Sequence, residues 1–225
     1  MKLFTLSCLV LIAGVLQAAP PDLKDTRQKA SYIIGTNIGQ NIAADFKDRG
    51  FDVDPAVVVQ GILNGMQGKE SGFTDEEAQA VIEAFVEAAQ ASLKKPGEDF
   101  LAQNKAKEGI QTTKSGLQYR VLKAGQGDSP KPNSEVTVHY VGTLTDGTKF
   151  DSSYDRMEPA TFPVNGVIAG WTEALQLMKP GSKFELFIPS DLAYGGQPPA
   201  RSPIPPHAVL LFTVELLDVK PGAQE

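Results

Sequence analysis

The uneven placement of the prolines constrains the fold of this chain more than any other feature of its sequence. Only Pro55 and Pro96 lie within residues 22–126. Twelve of the sixteen prolines fall from Pro130 onward. Proline lacks a backbone N–H and breaks a helix interior, so a proline-poor segment can hold long helices and a proline-rich one favours strands and turns. The distribution predicts a helical N-terminal module followed by a β-rich one.

The first residues of the chain predict a secretion signal. Lys2 supplies a short basic region, and residues 3–16 are mostly apolar. Leu16 and Ala18 form an acceptable −3/−1 pair for a signal peptidase before Ala19. This apolar run is shorter than the about 20 residues that a membrane-spanning helix needs. Residues 1–18 are therefore expected to be a signal peptide, which places the protein in the periplasm and leaves outer-membrane association open. The single cysteine, Cys8, lies in this leader, so no disulfide is expected.

Three helices are predicted in the proline-poor segment. The first spans about residues 26–46, where apolar residues recur at four-residue steps. The second begins after Asp54, an N-cap acid that is followed by a proline. The third begins with a capping box formed by Thr74 and Glu77. Residues 94–97 contain a proline and a glycine and are expected to stop or kink this third helix.

Three helices of this size bury too little apolar surface to form a stable core alone. The sequence therefore predicts that residues 19–95 form a dimerisation domain whose core is completed by a second copy. Packing of the same apolar faces on the β-rich module is the alternative. Residues 96–111 are predicted to form a helical connecting arm, and residues 112–225 a second domain.

Apolar residues alternate with a period of two from Gly116 onward, as in half-buried strands. Strands are predicted at about residues 117–121, 136–140, 183–188 and 209–219, and a further strand is expected to end at about Phe150 and Asp151. Asp146 and Gly147 form a hairpin signal, and only residues 171–178 have a helical pattern. This pattern predicts an α+β fold, in which an antiparallel β half-barrel is wrapped on one short helix.

Several functional classes are disfavoured by composition and spacing. The formal net charge of −6 argues against nucleic acid as the partner, because phosphate binding needs a basic face. A metal site could draw only on His139 and His207 as imidazoles, and their spacing matches no metal motif. Ser152 and Ser153 lack the Gly-x-Ser-x-Gly setting of a serine hydrolase. We therefore expect a function that uses neither a metal nor an acid–base pair.

An aromatic cluster with a polar partner remains as the candidate site. Its members come from segments that a barrel would bring together, namely Tyr140, Phe150, Asp151, Trp171, Tyr194 and Phe212. Taken singly, such residues are more often part of an ordinary core. They stand, however, in a series of motifs: VHY at 138–140, DGTKFDSS at 146–153, VIAGW at 167–171, LAYG at 192–195, IPPH at 204–207 and FTVELL at 212–217.

In this order the motifs closely resemble the FKBP-type peptidyl-prolyl cis–trans isomerases, over roughly residues 112 to 219. The leader and the helical module resemble the secreted Mip/FkpA-like branch, which consists of bacterial periplasmic homodimers. The resemblance implies an enzyme that accelerates X-Pro isomerisation in folding exported proteins, with chaperone activity from the dimer and no cofactor. It implies proline-containing polypeptides as partners and macrolides of the rapamycin or tacrolimus type as ligands.

The resemblance also implies the roles of individual residues. The catalytic residues would be Trp171 as the floor, Asp151 as a polar member, and the Tyr194 hydroxyl and Ile168 backbone N–H as donors to carbonyls of the ligand. The substrate-binding walls would be Tyr140, Phe150, Val167, Ile204 and Phe212. Two features depart from the pattern of single-domain members. Ala160 stands where they often carry an aromatic wall, and the loop 195–203 is one residue longer and lacks their histidine.

Two other functions are kept as alternatives. A holding chaperone would grip prolines in the same pocket without significant turnover. An inert structural dimer would neither turn over substrate nor bind ligand. Turnover of a short X-Pro peptide distinguishes the isomerase from both.

Overall fold

The computed structural model of the protein describes residues 22–222, so the predicted signal peptide lies outside the described residues. The described part of the chain separates into two compact units that divide after Ala43, inside the first helix. Among the residues that the structure describes, no helix combines the length and the apolarity needed to cross a membrane.

Within residues 22–222, four α-helices form where local signals favour them. They are α1 (Thr26–Asp48), α2 (Pro55–Met66), α3 (Asp75–Asn104) and α4 (Ala169–Leu177). The Asp54 carboxylate accepts the N–H of Ala56 at 2.8 Å, which caps α2. The capping box of Thr74 and Glu77 forms at the start of α3. The predicted starts of the first three helices are thus confirmed.

Helix α3 does not stop at Pro96 but continues as one helix to Asn104. Tertiary contacts after the proline account for this, because the Phe100 ring packs on Phe187 with 6.2 Å between centroids and Asn104 is buried. Residues 96–104 of the predicted connecting arm are therefore the last turns of α3. The division of the chain at residues 95 and 111 stays a prediction.

In the part of the chain that the structure describes, seven antiparallel strands form one sheet. They are β1 (Gln111–Thr112), β2 (Gln118–Lys123), β3 (Glu135–Thr143), β4 (Lys149–Ser152), β5 (Ala160–Pro163), β6 (Lys183–Ile188) and β7 (Leu210–Lys220). Their order is β1-β2-β6-β7-β3-β4, and β5 pairs with β3 as well. Strand β7, last along the chain, thus lies between β6 and β3. Strands β1 and β5, of two and four residues, were not predicted.

Helix α4 packs on one face of this sheet and supplies much of the core. Trp171, Ala174 and Leu175 are buried at helical spacing. On β3, buried Val136 and Val138 alternate with half-exposed residues, as the period of two predicts. A sheet packed on one short helix, preceded by long helices, confirms the predicted α+β class.

Candidate active site

Trp171 forms the floor of an aromatic enclosure. It is 4% exposed, and the rings of Tyr140 and Phe212 stand edge-on to its indole, each with 5.2 Å between centroids. Phe162 adds a third edge-on ring at 6.0 Å. Edge-to-face contacts are the favourable geometry for aromatic pairs, so the three rings hold the indole in one position.

A cavity of about 620 Å³ adjoins this floor, and we call it the proline cavity. All nine residues predicted for the pocket line it, namely Tyr140, Phe150, Asp151, Val167, Ile168, Trp171, Tyr194, Ile204 and Phe212. Four further residues line it that the sequence analysis did not identify, namely Phe162, Gly166, Pro199 and Ser202. Strands β3, β4 and β7, helix α4 and the β6–β7 connection thus bring the predicted residues together.

Gly142 on β3 allows two walls of the cavity to meet. A β-carbon at this position would lie 2.7 Å from the Phe150 ring and 2.8 Å from the Phe212 ring. The two rings instead close over bare backbone and pack edge to face, with 5.4 Å between centroids. Any side chain at residue 142 would displace both rings.

Tyr140, Asp151 and Arg156 form a hydrogen-bonded group at the cavity. The Tyr140 hydroxyl donates to Asp151 Oδ2. Arg156 donates from Nη1 to Asp151 Oδ1 at 2.7 Å and from Nη2 to the Tyr140 hydroxyl oxygen at 2.9 Å. The backbone N–H of Ser152 also donates to Asp151 Oδ1, at 2.8 Å. The carboxylate is therefore held in one orientation by several donors.

This arrangement keeps both acidic groups in their ordinary charge states at neutral pH. Burial opposes ionisation of Asp151, but the hydrogen bonds from Tyr140 and Arg156 and the positive charge of Arg156 outweigh it and lower the pKa of the carboxyl. Burial, together with the hydrogen bond to Asp151, raises the pKa of Tyr140. Asp151 is thus an anion and Tyr140 a neutral donor.

Two donors at the cavity, the Tyr194 hydroxyl and the Ile168 N–H, have no acceptor among the described residues; the buried indole N–H of Trp171 has none either. Tyr194 is 38% exposed, and no bond to a described residue engages its hydroxyl. The carbonyl of Ile168 accepts from the backbone N–H of Trp171 at 2.9 Å and of Thr172 at 3.0 Å, whereas its own N–H is uncommitted. Both donors are available to the carbonyl groups of a ligand.

Phe162 and Arg156 were missed by the sequence analysis for different reasons. Phe162 lies on β5, which is too short to show an alternating pattern. It stands two residues after Ala160 on the same face of that strand and supplies an aromatic wall that Ala160 does not. Arg156 lies in a 3₁₀ turn five residues after Asp151. A basic residue that close to the only carboxylate of the site was the available signal.

Two family models match the chain. The model of the FKBP-type peptidyl-prolyl cis-trans isomerase matches residues 127–217. The model of the domain amino terminal to FKBP-type peptidyl-prolyl isomerase matches residues 27–121. The first match includes every lining residue of the proline cavity.

Characterised proteins resemble the chain over most of its length. The FKBP-type peptidyl-prolyl cis-trans isomerase FkpA of Aeromonas hydrophila is 46% identical over 92% of this chain and 82% of that protein. The outer membrane protein MIP of Legionella longbeachae is 41% identical over 99% of both. Among solved structures, FkpA from Escherichia coli is 38% identical with a TM-score of 0.55, covering 89% of this chain and 100% of that one.

Proposed function

This chain belongs to the FKBP-type peptidyl-prolyl cis–trans isomerases, and from that premise we propose that the proline cavity is its active site. The protein is thus an isomerase of X-Pro bonds that binds proline-containing polypeptides, as its resemblance to this family indicated. One observation carries the placement of the site. The aromatic cavity brings together the apolar floor of Trp171, the carboxylate of Asp151, and two donors without an acceptor, namely the Tyr194 hydroxyl and the Ile168 N–H.

The reaction that the cavity would catalyse is a rotation, in which no covalent bond breaks. Twisting an amide costs about 18–20 kcal/mol because resonance is lost. For an X-Pro bond this corresponds to roughly 10–100 s per event at 25 °C. A rotation needs no nucleophile and no proton transfer, which agrees with a site built from aromatic rings and hydrogen-bond donors.

The apolar enclosure would act on the charge distribution of the amide. The planar amide carries separated charge on its oxygen and nitrogen, and this separation falls as the bond twists. A water-poor cavity floored by Trp171 therefore disfavours the planar ground state more than the twisted transition state. The substrate proline ring would pack on the indole while the bond rotates beside it.

The polar groups would supply binding that favours the transition state. The Tyr194 hydroxyl and the Ile168 N–H donate to carbonyls of the substrate on either side of the proline. Asp151, fixed by Tyr140 and Arg156, orients a dipole toward the rotating bond. Only interactions that are stronger in the transition state accelerate the reaction, so the orientation of these groups matters more than their number.

We further propose that the protein is a homodimer through residues 19–95 and that the dimer has chaperone activity. Apolar side chains on the three long helices are exposed in the single chain, among them Ile34 and Ile38 on α1, Val57 and Met66 on α2, and Ile82 on α3. Exposed apolar surface of this kind is typical of a protein interface. A second copy would cover part of it, and the remainder could hold an unfolded chain.

We propose export across the inner membrane to the periplasm, with outer-membrane association as a second location. The N-terminal leader supports export. The relative from Legionella longbeachae, named as an outer membrane protein, supports the second location. Fractionation of the host cell and N-terminal sequencing of the mature chain test both; we expect Ala19 as the first residue of the mature protein.

The assignment of the active site is tested by an isomerisation assay on a short X-Pro peptide, with and without rapamycin. We expect turnover that the macrolide inhibits, because it would occupy the proline cavity. If the protein binds proline peptides but does not turn them over, the result would instead support the holding chaperone.

A further inference from the structure

A second cavity, of about 740 Å³, shares Tyr194 with the proline cavity. We call it the arm cleft. Phe51, Val86 and Leu93 line one side of it, and Tyr194, Gly196 and His207 line the other. We infer that the arm cleft binds the stretch of substrate polypeptide that adjoins the isomerising proline. This inference rests on the proposed role of the proline cavity.

The helical wall of the arm cleft is fixed by close packing. Gly50, in the turn after α1, has a φ of +69°, and a β-carbon there would lie 2.7 Å from the Leu93 side chain. The next residue, Phe51, packs on Phe85 of α3 with 5.1 Å between ring centroids. The turn is therefore held against α3, and the wall exists before a ligand arrives, which lowers the cost of binding.

The opposite wall is one side of a ridge that lies between the two cavities. The ridge is the loop 195–207, closed at its base because the His207 N–H donates to the Gly195 carbonyl at 2.8 Å. Pro199 and Ile204 of this loop line the proline cavity, whereas Gly196 and His207 line the arm cleft. Tyr194, immediately before the loop, belongs to both. An extended chain can therefore pass from one cavity to the other across the Tyr194 ring.

The lining of the arm cleft indicates which chain would occupy it. Phe51, Val86 and Leu93 are half-buried apolar side chains, whereas Arg49 and Gln90 are polar groups at the same cleft. Such a lining suits an extended polypeptide that offers an apolar side chain to the wall and backbone groups to the polar residues. Four residues of extended chain reach about 13–14 Å. The ligand class is thus a non-native segment with an apolar side chain within about four residues of the proline.

The test compares two substrates on the full-length protein. One is a tetrapeptide with a central X-Pro bond, and the other carries four more residues with one phenylalanine, added on either side of the same core. We expect extension on one side to raise kcat/KM by about 3- to 10-fold, since a partly buried apolar side chain adds binding. Both peptides are too short to require a second protomer.

Two matched substitutions test whether the arm cleft causes this gain in kcat/KM. Gln90→Trp fills the arm cleft, and Gln103→Trp makes the same change at an exposed position of α3 that lines none of the described cavities. We expect the ratio of kcat/KM for the long and short peptides to fall toward one in Gln90→Trp and to keep its parent value in Gln103→Trp. Val86→Ser removes part of the apolar wall without filling the cleft and should lower the ratio as well. This variant keeps the test valid if Gln90→Trp does not fold.

Equal ratios in the parent and all three variants, or no gain from extension on either side, would overturn the role of the arm cleft and leave the active site untouched. A parent protein that fails to turn over the tetrapeptide would instead overturn the proposed active site. The two failures are therefore distinguishable.

Discussion

The side-chain amide of Asn104, in the last turn of α3, donates a hydrogen bond of 3.0 Å to Oε1 of Gln118 on β2. Gln118 in turn donates from Nε2 to the Leu101 carbonyl at 2.9 Å. Both side chains are buried, so neither can exchange its partner for bulk water without cost. The end of α3 is therefore part of the structural support of the isomerase sheet.

A first prediction concerns two truncated proteins. A fragment of residues 112–225 holds every residue of the proline cavity but loses the cover that Phe100 and Asn104 give to Phe187 and Gln118. We expect it to melt about 10 °C below a fragment of residues 92–225, because apolar area and a buried hydrogen bond are lost. Calorimetry on both fragments measures the difference. Equal melting temperatures would contradict the structural role of the end of α3.

A second prediction separates the two modules by substrate. Both fragments should be monomeric and should isomerise a tetrapeptide about as well as the intact protein, since so small a substrate touches little else. In a proline-limited refolding reaction they should be much poorer, because tethered sites can raise apparent affinity by about 10²–10⁴. Light scattering and paired peptide and refolding assays measure this. A fragment that still dimerises, or that refolds protein as fast as the full chain, would refute it.

A third prediction is that kcat/KM stays nearly constant between about pH 6 and 8, in contrast to the bell shape of acid–base catalysis. The pKa of Asp151 lies below its ordinary 3.8 and that of Tyr140 above its ordinary 10.0, so both keep their charge states in this window. The stabilisation from ionised Asp151 is fully present above pH 3.8 and is lost as the pH falls through the lowered pKa of the folded protein. A bell-shaped profile centred near pH 7 would rule out the mechanism proposed above.

A fourth prediction concerns the carboxylate. Asp151→Leu leaves the Tyr140 hydroxyl and the Arg156 guanidinium without their acceptor, and we expect kcat/KM on a tetrapeptide to fall about 10- to 100-fold. Asp155→Leu is the matched control, since Asp155 is exposed, pairs with Lys149 and does not line the proline cavity. Full activity in a folded Asp151→Leu protein would show that the carboxylate has no role.

A fifth prediction concerns the donor at the ridge. Tyr194→Phe removes one hydroxyl and keeps the ring, so a loss of about 3- to 10-fold in kcat/KM is expected, on the scale of one hydrogen bond. Tyr154→Phe removes a hydroxyl from an exposed tyrosine outside the cavity and should leave the rate at its parent value. If both variants match the parent, the Tyr194 hydroxyl does not bind the substrate.

Those features of the fold that arise from neighbouring residues were predictable from the sequence. The cap at Asp54 and the box at Thr74 act within one helical turn, and the alternation along β3 reports directly which side chains face the core. The pocket residues were predictable for another reason. Their motifs resemble those of a known family, and the structure places all nine at one cavity.

Features that depend on distant contacts were not predictable. Pro96 signals the end of a helix, yet α3 continues because Phe100 and Asn104 find partners on the sheet. Arg156 joins the site only through the turn that brings it back to Asp151. Neither partner is visible in the local sequence. Helix propensity therefore leaves open whether α3 stops or kinks at Pro96, and it does not identify Arg156 as a residue of the site.

The position of β7 in the middle of the sheet has a consequence for the biogenesis of the protein. A chain threaded through a membrane channel from its N-terminus would deliver β3 and β6 well before β7, the strand that both of them pair with. Until β7 emerges, β3 and β6 lack their common neighbour and the Phe212 wall of the cavity is missing. The seven-stranded sheet and the cavity would therefore close only after residues 210–220 have emerged, whether from the ribosome or from a channel.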